Sequence, residues 1–353
     1  MLAAYVSGHG FGHATRLCEV LRAVRVRAPE LPITVVGAVP EWLVRRSVTG
    51  PVVLRAVACD VGLAQRDALV IDEPGTAERC REFDATWDAR VDVEADFLSS
   101  SDARVVLGDI PPLAFAAAAR AGVPSLALGN FSWDWIYHHL AGRQPSLEAS
   151  AERAAHAYAK TGLLLELPFA GPLSAFPRRE CVGLVARRPR VRRAEARRRL
   201  GLDHRPAVLV SFGGLGLPGL EGRVLGSDPG LQFVLPENVV VARLDALGLD
   251  YPDVVGAVDV VVTKPGYGIV SDAIGAGTRL VYTDRGDFPE YPIMVREMPR
   301  WLASVHVGNE ELRSGRIVEA IRRVLAQPMP LQQDLGGAER AAVRVLEALG
   351  AAI

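Results

Sequence analysis

Short apolar runs recur along the chain and predict the strands of parallel sheets. Each run is continuously apolar and does not alternate with polar residues, which is typical of strands covered on both faces by helices. In the first half the predicted strands are Leu2–Ser7, Ile33–Val36, Val52–Val57, Arg104–Leu107 and Ser125–Leu128, with a further apolar segment at Leu163–Leu167. In the second half they are Ala207–Ser211, Gln232–Leu235, Val239–Ala242, Val258–Thr263 and Arg279–Thr283.

Amphipathic segments lie between most of these strands and predict helices. They include a first helix through Leu17 and Val24, then Glu78–Ser99, Leu113–Ala121, Ser146–Lys160, a helix near Arg192, one from Ile269, Glu310–Gln327 and Gly337–Leu349. Strands that alternate with helices predict an α/β fold. Because 353 residues exceed one ordinary core, the pattern predicts two doubly wound, Rossmann-like domains that face each other across a cleft.

Changes in composition predict the domain boundaries. Residues 1–168 would form an N-terminal domain, and residues 191–335 a C-terminal domain. Residues 169–190 are rich in proline and arginine and predict a linker. Residues 336–353 predict a C-terminal helix that could pack back on the N-terminal domain.

Composition and charge argue against several classes of protein. The net charge of −1 gives no global attraction to nucleic acid or to an anionic membrane. Four scattered cysteines, without a CxxC pair or a Cys/His cluster, favour a reducing cytoplasm without disulfides or a zinc site. No apolar run reaches the ~20 residues of a membrane span, and the N-terminus lacks the basic start of a signal peptide. Peripheral membrane contact and the oligomeric state stay open.

The segment Lys264–Gly277 carries the first candidate chemistry. It follows the predicted strand Val258–Thr263, and Gly266 and Gly268 predict a tight turn before a helix. A helix N-terminus binds anions because its first backbone N–H groups are unpaired and its dipole favours negative charge. Lys264 adds a positive charge, so the segment predicts a phosphate site, although an ordinary strand–helix turn has the same pattern.

Glycine-containing turns follow three of the predicted strands, at Gly8–Gly12, Gly213–Gly216 and Gly266–Gly268. Ligands of doubly wound sheets bind outside the carboxyl ends of the strands, so the three turns are expected to line one cleft. A Walker A loop is absent, and the first turn is not a GxGxxG sequence. NAD binding is also weakly supported because no acidic residue follows the second strand to hold a ribose.

A candidate general base lies in the first of these turns. His13 would stand at the N-terminus of the first helix, where the dipole disfavours imidazolium and leaves a neutral ring that can accept a proton. Asp109, at the end of a later strand on the same edge, could hold the Nδ1–H group of His13. Both residues also have structural interpretations, His13 as a capping or packing residue and Asp109 as an N-cap before Pro111.

The residues around these turns are candidates for substrate contacts. Asp272 could accept hydrogen bonds from both ribose hydroxyls, or be an ordinary acid of a first helical turn. Glu290 could bind sugar hydroxyls, or be a solvated loop acid. Trp133, in the aromatic loop Asn130–Tyr137, could line a carbohydrate site, or fill the core. The candidates in the second half of the chain are Gly213, Gly214, Gly216, Lys264, Gly266, Tyr267, Gly268, Ser271, Asp272 and Glu290, and the candidates in the first half are His9, Phe11, Arg16, Asn130, Trp133 and Asp134.

Four motifs in order resemble those of a known family. Two Rossmann-like halves, a glycine turn with a histidine and a glycine/helix phosphate site together resemble the GT-B glycosyltransferases. The glycosyltransferase-like N-terminal region of plant L-arabinokinases is similar in more detail. The shared motifs are His9-Gly-Phe-Gly-His-Ala-Thr-Arg16, Asn130-Phe-Ser-Trp-Asp-Trp-Ile-Tyr137, Lys264-x-Gly-Tyr-Gly-x-Val-Ser-Asp272 and Asp287-Phe-x-Glu-x-Pro292. The sugar-kinase domain of those proteins is not part of these 353 residues, so the resemblance does not imply kinase activity.

The residues and the resemblance together predict a glycosyltransferase that moves a sugar from a nucleotide-sugar, expected to be a UDP-sugar, to an unidentified acceptor hydroxyl. Residues 1–168, with the candidates of the first half, would then bind the acceptor, and residues 191–335, with the candidates of the second half, would bind the nucleotide-sugar donor. His13, oriented by Asp109, would deprotonate the acceptor, while Lys264 and the helix dipole would stabilise the leaving diphosphate. No Asp-x-Asp stretch is present, so neither a metal nor another cofactor is expected. Two alternatives stay open: a nucleotide-sugar hydrolase or epimerase, and a sensor that only binds a nucleotide-sugar.

Overall fold

Two units, each built around one parallel sheet, make up the part of the chain that the computed structural model describes, residues 1–213, 228–331 and 334–351. Within that part, the first unit comprises residues 1–64, 72–185 and 334–351. The second unit comprises residues 65–71, 186–213 and 228–331. Each unit is described here by itself.

The first unit contains a seven-stranded sheet in the order β3-β2-β1-β4-β5-β6-β7, with every neighbouring pair parallel. Its strands are β1 (Leu2–Val6), β2 (Ile33–Val36), β3 (Val52–Arg55), β4 (Val105–Asp109), β5 (Ser125–Gly129), β6 (Leu163–Glu166) and β7 (Arg179–Cys181). Its helices are α1 (Phe11–Arg27), α2 (Glu41–Ser47), α3 (Glu73–Asp84), α4 (Trp87–Ser100), α5 (Pro112–Ala121), α6 (Trp133–Ala141), α7 (Leu147–Tyr158) and the C-terminal helix (Gly337–Ala351). The strand order reverses between β1 and β4, which makes the carboxyl ends of these two strands the topological switch point.

The second unit contains a five-stranded parallel sheet in the order β12-β11-β10-β8-β9. Its strands are β8 (Ala207–Val210), β9 (Gln232–Val234), β10 (Val260–Thr263), β11 (Arg279–Tyr282) and β12 (Ser304–His306). Its helices are α8 (Arg193–Arg199), α9 (Val241–Leu247), α10 (Tyr251–Ala257), α11 (Tyr267–Ala276), α12 (Glu290–Glu297), α13 (Asn309–Arg313) and α14 (Val318–Leu325), so the C-terminal helix is α15. Here the order reverses between β8 and β10.

The apolar runs form the cores of both units. The side chains of strands β1, β4, β8 and β10 are almost completely buried. Valine and leucine suit these positions because branched side chains pack well on a pleated surface that is covered on both faces. No helix of the described residues is both long enough and apolar enough to cross a membrane.

Several predicted elements are wrong. The single helix Glu78–Ser99 is two helices, α3 and α4, separated at Thr86, whose φ of −115° is not helical. The predicted strand Val239–Ala242 is not a strand, because Val240 and Val241 are exposed and α9 begins there. The predicted helix Glu310–Gln327 is divided into α13 and α14 around Gly315, which has a φ of +73°.

The domain boundaries also differ from the predicted ones. Residues 65–71 belong to the second unit, where Ala68 and Leu69 lie in the apolar core. The predicted linker contains strand β7, and residues up to Val185 belong to the first unit. Its charged side chains hide β7 from a hydrophobic pattern, as expected for an edge strand. Helix α15 packs on α1 and β4 of the first unit.

Candidate functional site

The histidine site of the first unit, formed around His9, His13 and Asp109, lies at the switch point of its sheet. Val6, the last residue of β1, pairs with Asp109, the last residue of β4. The backbone N–H of Ser7 continues this ladder by donating to the carbonyl of Asp109 at 3.2 Å. Helix α1 then begins at Phe11, so His13 lies in its first turn. Sheet pairing therefore brings together two residues that are 96 positions apart in the sequence.

His13 and Asp109 form a buried pair. The Nδ1 atom of His13 lies 2.7 Å from Oδ1 of Asp109. Nη2 of Arg16, which only donates, lies 3.3 Å from the same nitrogen. The carboxylate is nearer and only accepts hydrogen bonds, so we assign the hydrogen of the neutral ring to Nδ1 and the lone pair to Nε2. This is the arrangement that a general base needs.

A buried arginine supports the Asp109 carboxylate. Arg16 donates from Nε to Oδ2 of Asp109 at 2.8 Å and from Nη2 to Oδ1 at 2.6 Å. Burial alone would raise the pKa of Asp109, but the charge and hydrogen bonds of Arg16, together with His13, hold this pKa below its ordinary value. Asp109 therefore stays ionised while it orients the imidazole. Sequence reasoning missed this partnership, although Arg16 lies one helical turn after His13.

Two predicted acceptor contacts have structural partners instead. Arg16 is buried and, besides Asp109, donates from Nη1 to Oδ1 of Asn130 at 2.9 Å. Asn130 is completely buried and its amide lies 3.4 Å from the carbonyl oxygen of Phe169. Arg16 therefore positions Asp109, and Asn130 positions Arg16, while contact of either side chain with an acceptor stays a prediction.

Trp133 also differs from its predicted role. It is the first residue of α6 and not part of a loop, and it is 0% exposed. Its Nε1–H donates to Oδ2 of Asp60 at 2.9 Å, and its ring stacks on Tyr137 with centroids 5.6 Å apart. A fully buried ring cannot stack on a sugar, so the core-filling interpretation is the one that fits. Asp134 follows it in α6, and burial raises the pKa of its carboxyl.

Exposed aromatic rings do lie beside the histidine turn. Phe11 is 45% exposed and meets Trp42 edge to face, with centroids 6.2 Å apart. Trp42, at the start of α2, is 43% exposed. Sequence reasoning missed Trp42, although a tryptophan shortly after the predicted strand Ile33–Val36 was the available signal.

Asp60 is a further residue that the sequence did not reveal. Its Oδ1 accepts from the backbone N–H of Gly8 at 3.4 Å, and its Oδ2 accepts from Trp133. Burial raises the pKa of Asp60 despite hydrogen bonds from Ser7 and Trp133. The segment around Asp60 has no periodic pattern, so only the folded chain shows that it lies against the histidine turn.

The candidate anion site of the second unit, formed by Lys264, Arg285 and the N-terminus of α11, lies at the switch point between β8 and β10. Helix α11 begins at Tyr267, with Gly266 as its N-cap and no side-chain cap. Gly268 is therefore a residue of the first helical turn and not of a loop. The first N–H groups of a helix have no acceptor within the helix itself, which is why helix N-termini suit anions.

Two cations flank this helix N-terminus. Lys264 donates from Nζ to the carbonyl of Ala68 at 2.7 Å. Burial, together with the charge of Arg285, lowers the pKa of Lys264 to about 8. The nearby Asp67 raises this pKa, but by less than Arg285 lowers it. Arg285 donates to the carbonyl of Pro265 at 3.3 Å and to Oε2 of Glu290 at 2.6 Å. Two neighbouring cations beside a helix N-terminus strengthen the case for a phosphate site.

The predicted donor contacts around α11 lie close together but with unexpected partners. Asp272 is in the second turn of α11, buried, and engaged by Arg187, from Nε at 3.1 Å and from Nη2 at 2.5 Å. Ser271 donates to the carbonyl of Gly268 at 2.9 Å, and Tyr267 is buried. Contact of Asp272 with a ribose stays a prediction.

Two other donor-side predictions have different outcomes. Glu290 is the first residue of α12 and is buried against Arg285, so it is not a solvated loop acid. Gly213 follows β8 with a φ of +74°, beside Ser211, whose hydroxyl lies 2.7 Å from the Tyr251 hydroxyl. Gly214 and Gly216 lie outside the described residues. In the described parts of the chain, no group of three or more His, Cys, Asp and Glu side chains is arranged to hold a metal ion.

Known proteins resemble this chain in sequence and in fold. L-arabinokinase of Arabidopsis thaliana is 31% identical in an alignment of 356 positions that covers 97% of this chain and 34% of that protein. The chain thus spans well under half of that relative's length, and the resemblance drawn from the four motifs is confirmed. No family model matches the chain.

Solved structures are similar over nearly the whole chain. UGT89C1 of Arabidopsis thaliana, complexed with UDP, is 15% identical with a TM-score of 0.62, covering 99% of both chains. A UDP-glucosyltransferase from Polygonum tinctorium is 14% identical with a TM-score of 0.58, covering 99% of this chain and 93% of that chain. The calicheamicin glycosyltransferase CalG4 is 16% identical with a TM-score of 0.56, covering 99% and 94%. The fold is therefore GT-B, with two Rossmann-like domains, as predicted.

Proposed function

We propose that the protein is a glycosyltransferase that moves a sugar from a UDP-sugar to an acceptor hydroxyl, with His13 as the general base and without a metal ion. The observation that carries the proposal is the 2.7 Å contact between Nδ1 of His13 and Asp109, which leaves the Nε2 lone pair for a proton. UDP in the complexes of similar fold supports the choice of donor.

In this reaction the acceptor oxygen forms a bond to the anomeric carbon of the sugar. The bond from that carbon to the diphosphate oxygen breaks, and UDP leaves with the bonding electron pair. The acceptor proton moves to Nε2 of His13, and the ionised Asp109 stabilises the imidazolium that forms. Lys264, Arg285 and the N–H groups of α11 would stabilise the charge that develops on the leaving diphosphate.

The donor would be held by its diphosphate at the anion site of the second unit. The acceptor would be held on the first unit, where the exposed rings of Phe11 and Trp42 offer the apolar surface that Trp133 does not. The reaction would need no cofactor, and the four scattered cysteines support a cytoplasmic location.

The test is UDP release from a panel of UDP-sugars, measured with and without a panel of hydroxyl acceptors. We expect release that depends on an acceptor, together with a new glycoside. His13→Ala should lower turnover by roughly 10²–10⁴, the usual contribution of a positioned base, while UDP affinity is retained. His204→Ala, at an exposed histidine of the second unit, is the matched control.

Other outcomes would replace the proposal. Equal UDP release without any acceptor would indicate a hydrolase, and a changed sugar still attached to UDP would indicate an epimerase. Binding without turnover of any sugar would indicate a sensor. Full activity of His13→Ala would show that the base lies elsewhere.

A further inference from the structure

The second histidine of the turn, His9, is enclosed by a glycine that no other residue could replace without strain. Gly62 has a φ of +66°, which L side chains rarely adopt. A Cβ atom at this position would lie 2.6 Å from Cβ of His9 and 2.8 Å from its Nδ1. The backbone of Gly62 therefore lies directly against the imidazole.

Leu63, the residue after Gly62, determines which nitrogen of this imidazole carries the hydrogen. The backbone N–H of Leu63 donates to Nδ1 of His9 at 3.2 Å. A nitrogen that accepts a hydrogen bond carries a lone pair, so the hydrogen of the neutral ring must be on Nε2.

Other contacts hold the ring in place. The backbone N–H of His9 donates to Oγ of Ser7 at 3.2 Å. The ring meets Trp133 edge to face with centroids 5.4 Å apart, and Asp60 fixes Trp133 through the indole N–H. Three residues of the segment Asp60–Leu63 therefore hold this partly exposed histidine. Gly62 lies against the ring, Leu63 donates to it, and Asp60 fixes the Trp133 ring beside it.

The two histidines of the turn are therefore opposite tautomers. His13 donates from Nδ1 to Asp109 and presents a lone pair on Nε2, whereas His9 accepts at Nδ1 and presents a hydrogen on Nε2. We propose that His9 is a fixed hydrogen-bond donor that binds an oxygen atom of the acceptor, and that it takes no part in proton abstraction. This assignment rests on the proposed function, whereas the tautomer rests on the contacts of His9 alone.

The tautomer is tested by ¹⁵N NMR of the full chain labelled at histidine, near neutral pH and without ligand. The His9 signals are identified by their loss in His9→Asn. We expect a hydrogen on Nε2 and none on Nδ1. A hydrogen on Nδ1, or on both nitrogens, would overturn the assignment.

The role is tested by two substitutions that separate the two nitrogens. The Asn of His9→Asn can still accept from Leu63 through its carbonyl but has no distal donor, whereas the Gln of His9→Gln places an amide donor near the Nε2 position. We expect His9→Asn to raise the acceptor KM about three- to tenfold, the effect of one hydrogen bond, with donor affinity unchanged. His9→Gln should recover most of that loss.

The same pair of changes at His13 is the internal comparison. His13→Asn and His13→Gln should both lose turnover by roughly 10²–10⁴, because neither amide can accept the proton. The assignment is overturned if His9→Asn shows the large loss of turnover, or if both His9 variants equal the wild type. If the wild type turns over no nucleotide-sugar, the proposed function and the acceptor contact both fall, while the NMR result still decides the tautomer.

Discussion

At the scale of single residues, the histidine site depends on one buried charge pair. Asp109 is completely buried and receives two hydrogen bonds from Arg16, which is buried as well. Desolvation of two such charges is tolerated only while both are present. The charge of Asp109 is thus as necessary to Arg16 as it is to His13.

Asp109→Asn should therefore cost stability as well as activity. Loss of one partner from a buried ion pair typically costs about 3–5 kcal/mol. We expect that order of loss in urea denaturation, together with a fall in turnover. The double variant Asp109→Asn/Arg16→Gln should recover part of the stability but none of the turnover, since the imidazole still lacks its carboxylate. Unchanged stability of the single variant would contradict the pairing.

Lys264 gives a prediction about pH. Because burial lowers its pKa to about 8, the ammonium group of the free protein is lost as pH rises through that value. A diphosphate binds the charged form, so UDP affinity should decrease above pH 8. Binding near pH 8 should also take up a fraction of a proton. Calorimetry in two buffers of different ionisation enthalpy measures this uptake.

The control for this prediction is Lys264→Arg, which stays charged throughout because a guanidinium has a much higher pKa. Its affinity should be flat between pH 7 and pH 9 once the titration of the ligand is subtracted. Equal pH dependence in both proteins would show that Lys264 does not contact the diphosphate.

At the scale of elements, the hairpin of residues 65–71 joins the core of the second unit. Gln65 and Ile71 form an antiparallel bridge, and Asp67 accepts from the N–H groups of Leu69 and Val70 at 2.7 and 2.9 Å. This turn directs Ala68 and Leu69 into the apolar core around Val208 and Val260. The carbonyl of Ala68 then receives the Lys264 ammonium group, so the hairpin also shapes the anion site.

Leu69→Ala should destabilise the protein by about 2–5 kcal/mol, because it removes a buried side chain and leaves a cavity. Leu69 is 5% exposed, whereas its neighbour Val70 is 41% exposed and provides the matched control. Val70→Ala should change the free energy of unfolding by no more than about 0.5 kcal/mol. Similar effects of the two substitutions would mean that the hairpin does not pack on this core.

The elements that the sequence predicted are those that burial alone specifies. Strands β1, β4 and β10 are short, continuous apolar runs. A buried strand is the element that so short an apolar run usually forms. Strand β7 is a polar edge, and β12 has only three residues, so neither produces a hydrophobic signal. The cluster of aromatic residues around Trp133 has no clear period, so the pattern predicts a loop where α6 begins.

Partners of the site residues were less predictable than the residues themselves. His13, Asp109 and Lys264 follow predicted strands, and their positions at one sheet edge came from topology. Arg187, Asp60 and the hairpin reach the sites through long-range packing. Nothing in the local sequence specifies which arginine meets Asp272, so only the folded chain assigns Arg187 to it.

At the scale of the whole molecule, both candidate sites obey one topological rule. The histidine site lies where the strand order of the seven-stranded sheet reverses, and the anion site lies where that of the five-stranded sheet reverses. At such a point neighbouring connections leave the sheet on opposite sides and open a crevice. A doubly wound sheet therefore provides one crevice in each unit. Histidines lie at the crevice of the first unit, and Lys264 and Arg285 lie at that of the second.

The charges of the second site allow a final prediction about metal ions. Many proteins that bind diphosphates neutralise them with magnesium, held by carboxylates. Here Lys264, Arg285 and the N-terminus of α11 supply positive charge directly, and the nearby Glu290 is occupied by Arg285. UDP at 100 times its Kd should therefore stabilise the protein by about 2.7 kcal/mol, in EDTA as in magnesium. Thermal unfolding measures this stabilisation, and Arg285→Gln should reduce it at the same UDP concentration. If the stabilisation by UDP, or the turnover of its sugars, disappears in EDTA and returns with magnesium or manganese, then protein cations do not suffice and the metal-independent mechanism is wrong.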